Sequence, residues 1–270
     1  MRFQRELTAA VLIPAVVAIL ILAPTWAWAL LAALASSLAL WEFYGLVRAA
    51  GWVAPRNVGL LLHLGILCAA YCKMPEHLLG LVGITVYLLP TLVLFSGPKE
   101  ATLFPSSAAS VLATLYVAGG GAAMIGLRAV GWKPVLLLLV VVWAGDSAAY
   151  YVGRRWGKKK LAPVVSPKKT WAGMVGQVVA GALVTVIAVL WNGVPSPLAL
   201  ALAAPLGAVL SVVAAVGDLV ESSFKRSAAV KDSGGLLPGH GGLLDRLDSL
   251  LYASPALLLI VTLLPDALPH

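Results

Sequence analysis

The sequence predicts an all-α, polytopic integral membrane protein with about nine transmembrane helices, and three observations carry that assignment. Hydrophobic residues make up 61% of the 270-residue chain and charged residues 11%, less than half the roughly 25% usual in a soluble domain. The apolar residues are gathered into runs near the length of about 20 that a helix needs to cross some 30 Å of hydrocarbon. Period-2 alternation of the kind a membrane barrel requires is absent. Each run must therefore satisfy its own backbone groups as a helix.

Nine runs can be followed along the chain: 7–23, 26–47, 58–72, 77–96, 106–127, 132–151, 171–193, 197–220 and 249–264. The first has features of a cleavable signal, with Arg2 and Arg5 before an apolar stretch and then Ala27-Trp28-Ala29. Its apolar part, Leu7 to Ala23, is longer than a signal core, so it reads as a retained span. The third run is short. Cys68 and Cys72 lie four apart within it and read as helix packing, because a lone C-x-x-x-C lacks the further ligands of a zinc site.

The net charge of +8 does not point to nucleic acid, since the bases sit in short loops between apolar runs. Loop 152–170 holds Arg154, Arg155, Lys158, Lys159, Lys160, Lys168 and Lys169 and should face the cytoplasm. Alternating from there leaves only Lys73, Arg128 and Lys133, of 19 basic residues, on the opposite side. The N-terminus is then inside and the C-terminus outside, in a multi-pass protein of a bacterial inner membrane. Residues 1–130 form N-terminal spans without a motif. Residues 131–270 carry the polar loops 152–170 and 221–248 and most carboxylates, so the chemistry is expected there. No internal repeat is visible, which gives an inverted-repeat transporter no support.

Glu42, Asp146, Asp218 and Glu221 fall within or at the ends of spans. A carboxylate at bilayer depth costs about 2.5–3.5 kcal/mol on insertion scales and usually marks a pathway, an ion or a substrate. Glu42, close to Tyr44 and Arg48, reads as interfacial, whereas Asp146 and Asp218 lie one or two turns from basic loops and read as functional. Asp218, Glu221 and Ser222 share one helix face, and Asp245 and Asp248 repeat the i, i+3 spacing. Such hard oxygen ligands suit Mg²⁺ bound together with substrate phosphates. The competing reading is a set of salt bridges among Asp218, Asp245, Asp248, Lys225 and Arg246.

Between these helices, residues 231–242 read KDSGGLLPGHGG, with five glycines from Gly234 to Gly242. Successive amides in such a segment can form an anion-binding concavity, and the helix starting near Leu243 adds its positive dipole end. Neither the P-loop nor the G-x-G-x-x-G pattern is present. His240 reads equally as a general acid or as a residue that shapes the loop. Upstream, Ser166-Pro167-Lys168-Lys169-Thr170-Trp171 is a polybasic anchor for anionic lipid heads, a grip on substrate phosphate, or both.

Residues Ser222-Ser223-Phe224-Lys225-Arg226, Lys231-Asp232, Leu237 to Leu243 and Asp245-Arg246-Leu247-Asp248 together resemble the signature of the phosphatidate cytidylyltransferase (CDP-diacylglycerol synthase) family. The likeness runs at fixed spacing over residues 222–248. Asp146, Tyr150, Gly153 and the segment 166–171 resemble further recurring parts of that family. Ala172 departs from it, standing where a Glu is expected. The resemblance implies that CTP and phosphatidic acid give CDP-diacylglycerol and pyrophosphate, with Mg²⁺ as cofactor. It implies Asp218, Asp245 and Asp248 as metal ligands, with Asp146 supporting the site or a second cation. Lys225, Arg226, Lys231, Lys168 and Lys169 would bind phosphates. Ser166, Ser222, Gly241, Gly242 and Arg246 complete the substrate contacts, and His240 joins the catalytic set. The partners are then CTP, phosphatidic acid and membrane lipid, with no nucleic acid, and a homodimer is compatible with this reading. The alternatives are a CTP-dependent lipid or polyprenol kinase, which would release CDP, and an ion-coupled transporter using Asp146 and Asp218.

The orientation is testable with single cysteines. One placed in loop 152–170 should be shielded from an impermeant thiol reagent in intact cells, and one near Pro195 should react. Reversed labelling would overturn the assignment of sides.

Overall fold

The computed structural model describes residues 13–193, 196–235 and 241–268. The expected spans emerge as helices: α1 (Ile13–Leu22), α2 (Thr25–Ala49), α3 (Arg56–Tyr71), α4 (Pro75–Phe95), α5 (Glu100–Val130), α6 (Trp132–Trp156), α7 (Trp171–Trp191), α8 (Pro197–Ser227) and α9 (Leu244–Leu263). Seven of them are long and apolar enough to cross a membrane, and the protein is all-α and polytopic. The run that looked short in the sequence is α3, whose 16 residues span about 24 Å at 1.5 Å each. The start of the first expected span, with Arg2 and Arg5, lies outside the described residues, as does Pro195.

Helix ends follow local chemistry. α4 opens on Pro75, whose missing N–H costs nothing in the first turn. α3 stops because Lys73 turns left-handed at φ 56°. The Met74 amide then donates to the Ala69 carbonyl at 2.9 Å, and that of Lys73 to Ala70 at 3.3 Å. α8 ends the same way at Ala229, φ 55°, with the Val230 amide donating to the Lys225 carbonyl at 2.9 Å.

The chain forms two compact units: residues 1–126 with 224–247, and residues 127–223 with 248–270. The described parts of the glycine-rich segment, 231–235 and 241–242, fall in the first unit with the N-terminal helices. In the first unit, polar side chains inside apolar helices pair with one another. Ser36 and His63 are hydrogen-bonded at 3.1 Å and Tyr44 and Thr114 at 2.8 Å, and the Trp28 indole donates to the Met124 carbonyl at 3.2 Å. Phe43, Tyr116 and Phe224 stack with ring centroids 4.9 to 6.0 Å apart.

In the second unit, α6 and α7 run antiparallel and are joined by a structure the sequence reading had treated as loop. α6 continues to Trp156, its last turn carrying Arg154 and Arg155, which complement the negative end of the helix dipole. A two-stranded antiparallel ribbon follows, β1 (Lys160–Ala162) with β2 (Ser166–Thr170), Lys160 opposite Thr170. Thr170 ends the ribbon and caps α7, its Oγ1 accepting the Gly173 N–H at 3.1 Å.

α7 and α8 meet backbone to backbone. A Cβ on Gly181 would lie 2.8 Å from the Gly207 carbonyl oxygen and against Ser211, and one on Gly207 would strike Gly181 and Thr185. Gly181 with Thr185, and Gly207 with Ser211, are small residues at i, i+4, the spacing that lets membrane helices approach closely. Gly80 and Gly83, by contrast, have open space around them. Gly181→Val should destabilise the protein by about 1–3 kcal/mol, the usual cost of overpacking. That loss should appear as a lower thermal midpoint in detergent, with Gly83→Ala close to wild type.

Candidate active site

The second unit gathers its polar residues at one end of α6, α7 and α8. The C-terminal part of α6 supplies Asp146 and Arg154, the ribbon supplies Lys160, Lys168 and Lys169, and α8 supplies Asp218. All line one cavity of about 540 Å³. Glycines make the walls close: a Cβ on Gly153 would lie 2.9 Å from Thr170 Oγ1 and 3.5 Å from the Gly173 backbone. Gln177, which the sequence reading did not single out, also faces the cavity.

Lys169 is held across this space. Its Nζ lies 2.6 Å from Asp218 Oδ2 and 3.5 Å from the Ala215 carbonyl. The two side chains keep 24% and 35% of their surface exposed, so the pair is open to a ligand. Ser222, one turn beyond Asp218, donates to its Oδ1 at 3.4 Å, as their shared helix face suggested.

Gly217 lets α9 come close to α8, since a Cβ there would lie 3.1 Å from the Asp248 carbonyl and would press on Tyr252. That approach joins Asp218 and Glu221 of α8 to Asp248 of α9, with one carboxylate oxygen of each lying within 4.8 Å of the others. Glu221 has no exposed surface and Asp248 only 7%. The Asp248 Oδ1 accepts the Ser249 N–H at 2.6 Å. Three carboxylates in one pocket repel one another unless positive charge sits among them. An all-oxygen set without His or Cys matches a hard cation, so the cluster could hold a metal ion. Asp218 and Asp248 stood among the expected ligands. Glu221 was recognised in the sequence only as sharing their face, and its i+3 spacing from Asp218 was the signal that it belonged with them.

The first unit holds the remaining candidates. Lys225 Nζ lies 2.6 Å from Asp245 Oδ1, each side chain 12% exposed. Asp245 Oδ2 also accepts the Gly242 N–H at 2.9 Å and the Ser233 N–H at 3.1 Å. One of the salt bridges considered from sequence, Lys225 with Asp245, is thus formed, while Asp218 pairs with Lys169 instead. Arg226 donates to the Val230 carbonyl at 3.2 Å. Lys231 and Arg246 are exposed. Gly241 takes φ +78° against Asp245, the backbone freedom expected of a glycine there. His240 lies outside the described residues, with Leu236 to Gly239.

Glu42 corrects the sequence reading. Its side chain does not reach outward to the membrane surface: only 5% of it is exposed, and its carboxylate is hydrogen-bonded to the Ser233 hydroxyl and the Leu244 amide. No local signal separated it from a snorkelling residue, because both partners lie about two hundred positions away.

A sequence model of the cytidylyltransferase family matches residues 3–264. Similar curated proteins carry the name phosphatidate cytidylyltransferase. That of Staphylococcus saprophyticus is 39% identical over 181 residues, 67% of this chain and 68% of its own. That of Bacillus subtilis is 44% identical over 133 residues, 49% of each chain. That of Mycobacterium tuberculosis is 42% identical over 135 residues, 50% of this chain and 40% of its own. The family match takes in the ribbon, the carboxylate cluster and the glycine-rich segment alike, and on that extent this membrane protein belongs to the cytidylyltransferase family.

Proposed function

We propose that this chain transfers the cytidylyl group of CTP to phosphatidic acid, giving CDP-diacylglycerol and pyrophosphate for phospholipid synthesis. The observation that carries the proposal is the carboxylate cluster Asp218–Glu221–Asp248, with Asp218 held by Lys169 at the wall of a cavity lined by further bases. The names of the similar proteins support the same reaction. A phosphatidate oxygen attacks the α-phosphorus of CTP and pyrophosphate leaves. Both substrates are anions, so the residues must offset repulsion and stabilise charge on the phosphoryl oxygens. Phosphatidate is already nucleophilic near neutral pH, so no strong base is needed.

In this reading Lys168 and Lys169, with Ser166 and Ser222, meet the substrates in the second unit. Lys225, Arg226, Lys231 and Arg246, with the Gly241 amide, offer phosphate contacts in the first, whereas the Gly242 amide is taken by Asp245. His240 keeps its sequence-based role as a candidate acid. Asp218, Glu221 and Asp248 would hold Mg²⁺, with Asp146 as a further candidate ligand, whereas Asp245, expected from the sequence as a ligand, is engaged by Lys225 and two backbone amides. Bound there, the ion would supply Lewis-acid charge to phosphate oxygens. The distribution of bases supports a cytoplasmic side for this chemistry, the similar bacterial proteins support a bacterial inner membrane, and a homodimer is compatible with this reading. Release of labelled pyrophosphate from CTP by the purified protein, dependent on phosphatidic acid, is the expected result. Release of CDP, or no turnover, would overturn the proposal.

Two variant series test the residue roles. Asp218→Asn and Asp248→Asn should each lower turnover by about 100-fold or more while the thermal midpoint holds. Their combination should be scarcely worse, because groups acting as one unit are not additive. Loss of stability with an unchanged Mg²⁺ titration would make the carboxylates structural only. Among the bases, Lys225→Gln should cost about tenfold or more in kcat/KM, equivalent to about 1.4 kcal/mol at the barrier. Lys73→Gln, assigned to the opposite face, should change little. Equal effects from both lysines would limit the charges to topology or folding.

A further inference from the structure

In the first unit one carboxylate reaches inward from α2 to the glycine-rich segment. Glu42 Oε2 accepts the Ser233 hydroxyl at 3.0 Å and the Leu244 amide at 2.8 Å. The same oxygen therefore ties the beginning of the segment to the first residue of α9. Leu244 heads a helix, where amides lack intrahelical acceptors and the dipole favours a negative group. The approach is so close that a Cβ on Gly234 or on Gly242 would stand 2.5 Å from a Glu42 oxygen. These two glycines have a specific reason: they leave room for this carboxylate.

Asp245 performs a parallel task from the segment's far end. It accepts the amides of Ser233 and Gly242 while Lys225 balances its charge. Glu42 has no such cation among the described residues, and its Oε1 is buried there without a hydrogen-bond partner. Burying a carboxylate under those conditions is costly. A shorter neutral acceptor could cap α9, but it would not also reach Ser233.

We infer that Glu42, in the N-terminal part that lacks a sequence motif, is a positioning residue of the reaction. It clamps Ser233 to Leu244 and so fixes the backbone on either side of the segment, where Lys231, Gly241 and Arg246 stand. The inference rests on the proposed function, which gives those three residues their phosphate. Glu42 touches no reacting atom, and its effect passes through the segment.

The test pairs kinetics with amide hydrogen exchange on the full-length protein in detergent. Glu42→Ala should lower kcat/KM for CTP about tenfold or more, the scale of lost hydrogen bonds to a charged group, chiefly through KM. Glu42→Gln, which keeps an acceptor of the same length, should recover part of that loss. In Glu42→Ala, exchange should rise in peptides covering 231–246 and stay unchanged in peptides of α7. Adding Ser233→Ala to Glu42→Ala should cost little more, because the two share one interaction. Should Glu42→Ala fail to purify, Glu42→Gln carries the test with a smaller rise in the same peptides. Unchanged exchange in 231–246, unchanged kcat/KM, or a rise spread evenly over the whole chain would overturn the inference. Exchange needs no substrate, so a wild-type protein that releases no pyrophosphate would sink the proposed reaction and leave the clamp standing.

Discussion

The constraint on which the second unit depends is electrostatic. Three carboxylates, Asp218, Glu221 and Asp248, lie with ligand atoms within 4.8 Å of one another. Each close pair repels by a few kcal/mol at the effective dielectric of a protein. Positive charge must be delivered to that point, and in the protein Lys169 delivers it to Asp218 at 2.6 Å. Much of the surrounding structure follows from this delivery. Lys169 sits on β2, so the ribbon must pair, and Thr170 must end it by capping α7. Gly217 must lack a side chain so that α9 can bring Asp248 up to α8, and Gly181 and Gly207 must lack theirs so that α7 and α8 can meet.

The helices were readable from the sequence because each is specified by its own residues. An apolar run near 20 residues long needs no distant partner to be helical, and nine runs correspond to nine helices among the described residues. The ribbon was not readable. Strands of three and five residues are too short to show an alternating pattern, and Ser166-Pro167-Lys168-Lys169 looks like any basic loop. The site divided along the same line. Asp218, Glu221 and Ser222 were linked by helical spacing, a local property. Glu42 was passed over because its hydrogen bonds cross 191 and 202 positions, and no spacing rule reaches that far.

The two sets of carboxylates also differ in what they ask of a ligand. Asp245 is matched by Lys225 and by two backbone amides, an arrangement in which the charge is met and the geometry of a loop is fixed. Its removal would first be felt by the backbone around Ser233 and Gly242. Asp218 meets Lys169, and Glu221 and Asp248 beside it have almost no exposure to water. Burial with three ligand oxygens close together, more than the number of acids, makes this second set one that could hold a metal ion.

That distinction bears on the order of binding in the proposed reaction. A triphosphate approaching three carboxylates meets repulsion that Lys169 only partly offsets, because Lys169 is already engaged with Asp218. A divalent cation held by Asp218, Glu221 and Asp248 would cut their summed charge from −3 to −1 and would leave Lys169 freer to meet the phosphates. Each ligand would then raise the affinity for the other by the same factor, as linkage between two sites requires. The 2.6 Å pair between Lys169 and Asp218 is in this view the resting contact of a residue whose working partner is the substrate.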